Sequence, residues 1–384
     1  MDYNLKQRIN SIDVMRGLVM LIMLMDHVRE RFFLHHQVSD PMDINTTPPT
    51  LYFSRLAAHL CAPTFVFLTG LSAWLYQHSG AIGQRPLASF LVKRGLFLIL
   101  LEMTLITFSW MGNYHTIYLQ VIWAIGLSML VLAVLQYLPR WSLLVIASAL
   151  VFGHNALTPI QFAPHEWGYS AWTILHDRGY LVSDSAINVK LSYPLLPWIG
   201  VIVFGYLAGP LYSKATDAKR RQRWLWCLGL SCLALFAVLR GYNIYGETLP
   251  WHPGDTLLIS VMSLFNLTKY PPSLAFLLLT LGLMLLGLYL MEQLSSRWSQ
   301  TMAAVLAQFG GAPMFFYLMH LYLLLLLYQI AVAIWGTNYG SLFGVSSITE
   351  VWYISLALII VLYLPTKTFA TFKRGSQRWW VKYL

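Results

Sequence analysis

Long apolar segments alternate with short polar connections along nearly the whole chain. An apolar helix of about 20 residues crosses the roughly 30 Å hydrocarbon core of a bilayer, because each residue adds about 1.5 Å. The pattern predicts spanning helices at about 12–33, 53–76, 88–110, 116–137, 141–157, 194–212, 223–240, 272–291, 312–335 and 350–366. We therefore expect an all-α polytopic membrane protein, a bundle of about 10 transmembrane helices.

The composition agrees with this class, and the distribution of basic residues predicts how the protein is oriented in the membrane. Of 384 residues, 58% are hydrophobic and 10% are charged, whereas soluble domains carry about 25% charged residues. The net charge of +10 is also typical of nucleic-acid-binding proteins, but the basic residues cluster in alternate connections, as the positive-inside rule predicts. We expect membrane lipids and no nucleic acid as partners, both termini in the cytoplasm, and one integral membrane domain over residues 1–384.

The first predicted helix carries strongly polar residues on both sides of an apolar stretch, in SIDVMRGLVMLIMLMDHVRERFF. Arg16 and His27 are separated by about three helical turns, so both side chains project from one face. Asp26 directly precedes His27. Charged groups in hydrocarbon cost several kcal/mol and normally face the bundle interior or a water-filled cavity. This helix is predicted to line a functional site, although Arg16 alone is also compatible with snorkelling to the headgroups.

Further titratable residues are predicted within other helices. His59 lies at about the depth of His27 on the second helix, and Glu102 and His320 lie inside later helices. Each has a structural alternative, namely a buried imidazole or carboxylate bonded to a neighbouring helix. No motif has the spacing of metal ligands, so no metal is expected.

Three long connections, at 34–52, 154–193 and 241–271, are rich in aromatic, amide and charged residues. The positive-inside rule assigns them to the outer side. Their aromatic residues suit the interfacial belt, and long loops over a bundle also suit a lid on a binding cavity. We expect a short surface helix within 255–266 and an amphipathic cytoplasmic helix in SSRWSQTMAAVLAQFGG. The candidate substrate-binding residues are Trp198, Asn243, Lys269, Tyr270 and His320.

Several strings occur along the chain in a fixed order: SIDVMRGLVMLIMLMDHV, HLCAPTFVFLTGLSAWL, KRGLFLILLE, YPLLPWIGV, LTKYPPSL and GGAPMFFYLMHLY. In this order they resemble the bacterial DUF1624 family, which is related to the catalytic domain of heparan-alpha-glucosaminide N-acetyltransferase. The resemblance covers nearly the whole chain and implies a transmembrane acyltransferase of the bacterial inner membrane. Such a protein passes an acyl group from cytoplasmic acyl-CoA, with acetyl-CoA as the expected donor, to a carbohydrate hydroxyl or amine on the opposite side.

The spacing of Arg16 and His27 also resembles a motif of the acyltransferase-3 family, in which the histidine is taken as the catalytic base. The lysosomal acetyltransferases differ, because an asparagine matches His27 and their working histidine lies further along the chain. Near that place this sequence has His35 and His36. The resemblance therefore divides the catalytic role between His27, His59 and the loop histidines.

The chemistry of acyl transfer suggests a role for each candidate. Transfer from a thioester needs a general base that titrates near neutral pH, and histidine fits. We expect His27 as the base with His59 as its near neighbour, and Asp26 or Glu102 orienting a partner.

The donor is expected at the cytoplasmic mouth of the bundle. CoA carries phosphates, and the planar fork of an arginine suits phosphate oxygens. Arg16, Lys93 and Arg94 group there by depth and are the candidate donor-binding residues.

Two other classes remain open. In a proton-coupled secondary transporter or flippase, Glu102 and the histidines would relay protons, but no inverted repeat is recognisable. In a non-catalytic membrane module, the buried polar groups would serve helix packing. Self-association as a homodimer is compatible with any of these classes.

The first testable prediction is topological. A cysteine placed in the connection KATDAKRRQR, for example Ala215→Cys, should resist an impermeant thiol reagent in intact cells, because this basic connection is expected in the cytoplasm. A cysteine at Ser185, in a connection expected outside, serves as the labelled control. Labelling at position 215 would overturn the topology.

Overall fold

A computed structural model describes residues 10–79, 85–294, 296–376, 378 and 380–383. Helices account for most of this part of the chain. They are α1 (Asn10–Phe32), α2 (Pro49–Ala58), α3 (Cys61–Gln77), α4 (Leu87–Leu101), α5 (Thr107–Met111), α6 (Val121–Leu135), α7 (Arg140–Gly153), α8 (Tyr169–Leu175), α9 (Leu196–Ala208), α10 (Ala218–Gly241), α11 (Leu257–Leu264), α12 (Leu274–Glu292), α13 (Arg297–Gly311), α14 (Pro313–Trp335) and α15 (Ile348–Gly375).

Six helical segments of the described chain are long and apolar enough to cross a membrane. They are Pro49–Gln77, Arg140–Leu157, Ala218–Gly241, Leu274–Glu292, Pro313–Trp335 and Ile348–Gly375. Two shorter apolar segments, Val121–Leu135 and Leu196–Tyr212, accompany them. The multi-pass membrane class therefore holds, whereas the count of about ten spans and the cytoplasmic termini stay predictions.

Helix α1 lies at the centre of the bundle. It packs against α2, α3, α12, α13, α14 and α15. Val19, Leu24 and Val28 on α1 are completely buried. A helix that is enclosed in this way cannot turn its polar residues to lipid, so they must find partners or a cavity inside the protein.

The second predicted helix, 53–76, is longer than expected and contains a tightened turn. Helix α2 ends at Ala58 and α3 begins at Cys61, and the N–H groups of His59 and Leu60 donate to carbonyls three residues back. Pro63 explains the turn, because it has no N–H to donate to the carbonyl of His59. The break places His59 at the joint between two helices.

The third predicted helix, 88–110, is also interrupted. A wider turn at Glu102–Ile106 separates α4 from α5. Such single turns inside an α-helix shift the register of the residues that follow and are frequent at functional sites. Helix α5 then ends at Gly112, whose φ of 69° is the left-handed conformation that glycine adopts at helix ends.

The fourth predicted helix, 116–137, begins too early, and the all-α prediction misses a small sheet. Residues Thr116–Leu119 form strand β1, which pairs in parallel with β3 (Asn188–Leu191). Strand β2 (Gly179–Val182) pairs with the other edge of β3 in antiparallel fashion. The branched and aromatic residues of TIYL favour a strand, but their apolar character merges with the helix that follows. The sheet fixes part of the connection 154–193 to the helical bundle.

Both short helices expected outside the spans are present. Helix α11 occupies part of 255–266, and α13 occupies RWSQTMAAVLAQFGG of the second predicted segment. Helix α13 packs closely against the first half of α1: a Cβ on Gly310 would collide with the carbonyl oxygen of Asp13, and one on Gly17 with the carbonyl oxygen of Leu306. The two glycines therefore allow the backbones to meet directly.

The second prediction concerns this contact. Gly310→Ala should lower the thermal unfolding temperature of the detergent-solubilised protein, because a backbone neighbour cannot move aside and overpacking costs about 1–3 kcal/mol. Gly153→Ala in α7 is the matched control, since no atom lies within 4 Å of its Cβ position. An unfolding temperature equal to that of the control would contradict the close contact.

Candidate functional site

A cavity of about 710 Å³ opens where the long connections gather over one end of α1. Its wall includes residues of α1, α3, α5 and α14, the three strands, and the Lys269–Tyr270 segment. We call it the His27 cavity. Of the residues predicted from the sequence, it brings together Asp26, His27, Lys269 and Tyr270. The connection 154–193 contributes to this wall, as expected of a lid.

His27 is held by a second histidine that lies behind it. The Nδ1 atom of His27 is 2.7 Å from Nε2 of His320 on α14. The Nδ1 atom of His320 is in turn 2.8 Å from the carbonyl oxygen of Phe316. His320 is completely buried, whereas His27 lies on the cavity wall. The two imidazole rings are stacked, with their centroids 5.0 Å apart.

This chain of contacts assigns the protons of two neutral imidazoles. A carbonyl oxygen only accepts, so Nδ1 of His320 carries a proton and its Nε2 carries none. The Nδ1 atom of His27 must then donate to Nε2 of His320. Nε2 of His27 is consequently left unprotonated and able to accept a proton. The assignment follows from the hydrogen-bond network, as it must for any histidine tautomer.

Asp26 lies on the cavity wall, and its charge is neutralised by Arg29, which is not part of that wall. The Nε and guanidinium nitrogen of Arg29 donate to Oδ1 of Asp26 at 3.0 and 2.9 Å. Arg29 also donates to Glu30, which lies 3.7 Å from a nitrogen of Arg55 on α2. Arg29 is 3% exposed, so it serves as the internal counter-ion of both carboxylates.

Lys269 and Tyr270 are positioned by a carboxylate from a distant loop. Asp40 accepts the backbone N–H of Tyr270 at 2.9 Å and that of Lys269 at 3.2 Å. Burial raises the pKa of Asp40, and the N–H of Lys269 offsets part of this effect. The hydroxyl of Tyr270 lies 3.1 Å from that of Tyr193. These contacts hold the Lys269 segment against the cavity.

His59 and Trp198 lie near the cavity without lining it. His59 is 2% exposed, packs against the ring of Phe276, and has no hydrogen-bond partner on either ring nitrogen among the described residues. Trp198 is completely buried, with its ring 5.8 Å from Tyr193 on the cavity wall. Both therefore support the wall from behind.

Glu102 lies at the wider turn after α4, where it caps another helix. Its Oε2 accepts the backbone N–H of Trp123 at 3.0 Å, in the first turn of α6. The first N–H groups of a helix lack internal partners, and a carboxylate there is also favoured by the helix dipole. This contact accounts for one oxygen of the buried carboxylate, whereas Oε1 has no hydrogen-bond partner among the described residues.

The three candidate donor-binding residues lie away from the His27 cavity. Arg16 bridges α1 and α3, because it donates to the hydroxyl of Ser72, to the carbonyl of Leu68 at 3.4 Å, and to Asp13 at 3.4 Å. Arg94 lies near enough to Arg16 for their charges to interact, and Lys93 beside it is exposed.

Asn243 lies in a turn outside the cavity wall. Its side chain accepts the N–H of Trp251 and donates to its carbonyl, both at 3.0 Å. Its φ of 50° is a left-handed conformation that asparagine tolerates better than most residues.

The cavity also contains residues that the sequence analysis did not single out. Tyr317 precedes His320 by three residues and Arg31 follows His27 by four, so helical periodicity could have identified both. Arg178 and Lys190 carry no comparable local signal, because they reach the wall through the sheet.

Residues 8–240 match the family described as heparan-alpha-glucosaminide N-acetyltransferase, catalytic. The chain belongs to this family. No curated protein matches the chain.

Membership in the heparan-alpha-glucosaminide N-acetyltransferase catalytic family agrees with the resemblance found in the sequence and indicates a membrane acetyltransferase. The matched residues include His27, His59 and Glu102, whereas His320 and Lys269 lie beyond the match. The candidate site of this family member therefore joins the matched region to the rest of the chain.

The third prediction tests the tautomer of His27. Nitrogen-15 NMR of histidine-labelled protein should show His27 protonated at Nδ1 and unprotonated at Nε2, because His320 accepts the Nδ1 proton. In His320→Phe this preference should be lost, while in His165→Ala, at an exposed position, it should persist. A proton on Nε2 of His27 in the unchanged protein would contradict the assignment.

Proposed function

We propose that this protein transfers an acyl group, in the first instance acetyl, from cytoplasmic acyl-CoA to a carbohydrate hydroxyl or amine. The acceptor is on the outer side of the bacterial inner membrane, and His27 is the general base. The observation that carries the proposal is the position of His27 on the cavity wall with its Nδ1 engaged by His320. A base needs a free lone pair, and this pairing leaves one on Nε2 of His27.

The proposed reaction uses the groups of the wall in sequence. Nε2 of His27 takes the proton from the acceptor amine or hydroxyl while the nitrogen or oxygen attacks the thioester carbonyl. Tyr317, whose ring lies 5.7 Å from that of His27, supplies a hydroxyl on the wall for the developing oxyanion. The C–S bond then breaks, and the proton passes from His27 to the departing thiolate, which leaves as CoA.

His320 stabilises the charged intermediate state in this scheme. When Nε2 of His27 is protonated, the positive ring still donates through Nδ1 to His320, and the carbonyl of Phe316 holds His320 in the accepting orientation. The arrangement parallels the general logic of a base oriented by a third group.

The donor is proposed to enter from the opposite end of α1. Arg16 and Arg94 lie there as neighbouring cations, with Lys93 exposed beside them. Eleven helical residues from Arg16 to His27 correspond to about 16 Å, a length that a pantetheine arm can span. The phosphates would bind at the cytoplasmic mouth while the thioester reaches His27.

The fourth prediction ranks the histidines. His27→Ala should lower the turnover of acetyl transfer in purified protein by about 10²–10⁴, the usual contribution of a positioned base. His59→Ala should cost less, because His59 does not line the cavity. His165→Ala is the exposed control. Full activity in His27→Ala would refute His27 as the base.

The fifth prediction concerns the donor. Arg16→Ala should raise the KM for acetyl-CoA more than it lowers kcat, because a phosphate contact is made equally before and during the reaction. Arg16→Lys should recover only part of the affinity, since the bidentate geometry is lost. Unchanged affinity for acetyl-CoA in both variants would restrict Arg16 to its bridge between α1 and α3.

A further inference from the structure

The wall of the His27 cavity contains four cationic side chains. They are Arg31, Arg178, Lys190 and Lys269. Among the described residues, no carboxylate lies within ion-pair distance of any of the four. Lys269 is only 7% exposed, so its ammonium group is largely removed from solvent. A buried ammonium without an ion-pair partner is costly, and the charges of Asp26 and Asp40 reach Lys269 only from a greater distance.

The two carboxylates of the same wall compensate this charge only in part, although Asp26 acts on Lys269 from beyond ion-pair distance. Asp26 and Glu30 both accept hydrogen bonds from Arg29, and Glu30 also lies near Arg55. Arg29 and Arg55 are not part of the cavity wall. Each carboxylate is therefore neutralised from behind, and the excess of positive charge faces the cavity.

Aromatic rings hold the four cations in place. Arg31 lies 5.6 Å from the ring of Trp110, and Lys190 lies 5.2 Å from that of Tyr180. Lys269 and Arg178 lie 5.1 and 5.9 Å from the ring of Tyr270. A ring stabilises a cation through its face and uses none of its N–H donors. Apart from the nitrogen of Arg31 that donates to the carbonyl of Ser109, the donors stay available for oxygen atoms of a ligand, in positions that are fixed in advance.

We propose that this wall binds an oxyanion, a phosphate, sulfate or carboxylate group, carried by the acceptor beside the amine or hydroxyl that is acylated. This inference rests on the proposed acyl transfer. Arg178, Lys190 and Lys269 come from the connections 154–193 and 241–271, which the expected topology assigns to the acceptor side. The donor phosphates have their own cations, Arg16 and Arg94, at the other end of α1.

The test measures binding without chemistry. Calorimetry on the full-length protein in nanodiscs would compare glucosamine 6-phosphate, glucosamine and acetyl-CoA in the unchanged protein and in Arg178→Gln and Lys190→Gln. Glucosamine 6-phosphate should bind more tightly than glucosamine, and each variant should weaken its binding about tenfold, as expected for one charge-assisted contact. Lys190→Arg should retain most of the affinity, and Lys214→Gln, outside the cavity, should change nothing.

The outcomes separate this inference from the proposed function. Equal binding of the two sugars, or variants without effect, would overturn the anion site. Weaker binding of acetyl-CoA rather than of the sugar phosphate in Arg178→Gln and Lys190→Gln would also overturn it, because the anion would then belong to the donor. Charge-dependent binding of the sugar phosphate without any acetyl transfer would support the anion site and contradict acyl transfer.

Discussion

Polar groups inside a bundle of apolar helices must find their hydrogen-bond partners within the protein, because hydrocarbon offers none. Arg240, which is 2% exposed, shows how strongly this requirement shapes the fold. Its guanidinium donates to the carbonyls of Leu249, Ser263, Leu264 and Asn266, and so fixes the end of α11 and its flanking segments to α10. The connection 241–271 is therefore bound to α10 by internal hydrogen bonds.

The same requirement produces the candidate site. His27 projects from the enclosed helix α1, and its partner His320 lies on α14, 293 residues further along the chain. Arg31 satisfies one donor at the carbonyl of Ser109, 2.7 Å away, and faces the cavity at the same time. Glu102 accepts the N–H of Trp123 in α6 through one carboxylate oxygen, while its other oxygen has no partner among the described residues. Lys269 has no ion-pair partner among the described residues, and the cavity beside it has room for a ligand.

Local signals in the sequence account for the class of the protein and for part of the site. Helical periodicity in α1 predicts that His27 faces the interior, and hydropathy predicts most of the spanning segments. Strand β1 could not be separated from α6, because hydropathy does not change between them. The pairing of His27 with His320 spans 293 residues, and the contact of Asp40 with Lys269 spans 229. No periodicity reports which helices and loops meet over such distances, so these partners required the tertiary structure.

The most direct test of acyl transfer across the membrane uses vesicles with the two substrates on opposite sides. Acetyl-CoA labelled in its acetyl group is sealed inside proteoliposomes, and glucosamine 6-phosphate is supplied outside. The account predicts labelled N-acetyl sugar in the outer medium, CoA inside, and neither product with His27→Ala. Unmodified sugar accumulating inside the vesicles would contradict the account in favour of transport, and retention of all label on acetyl-CoA would contradict transfer.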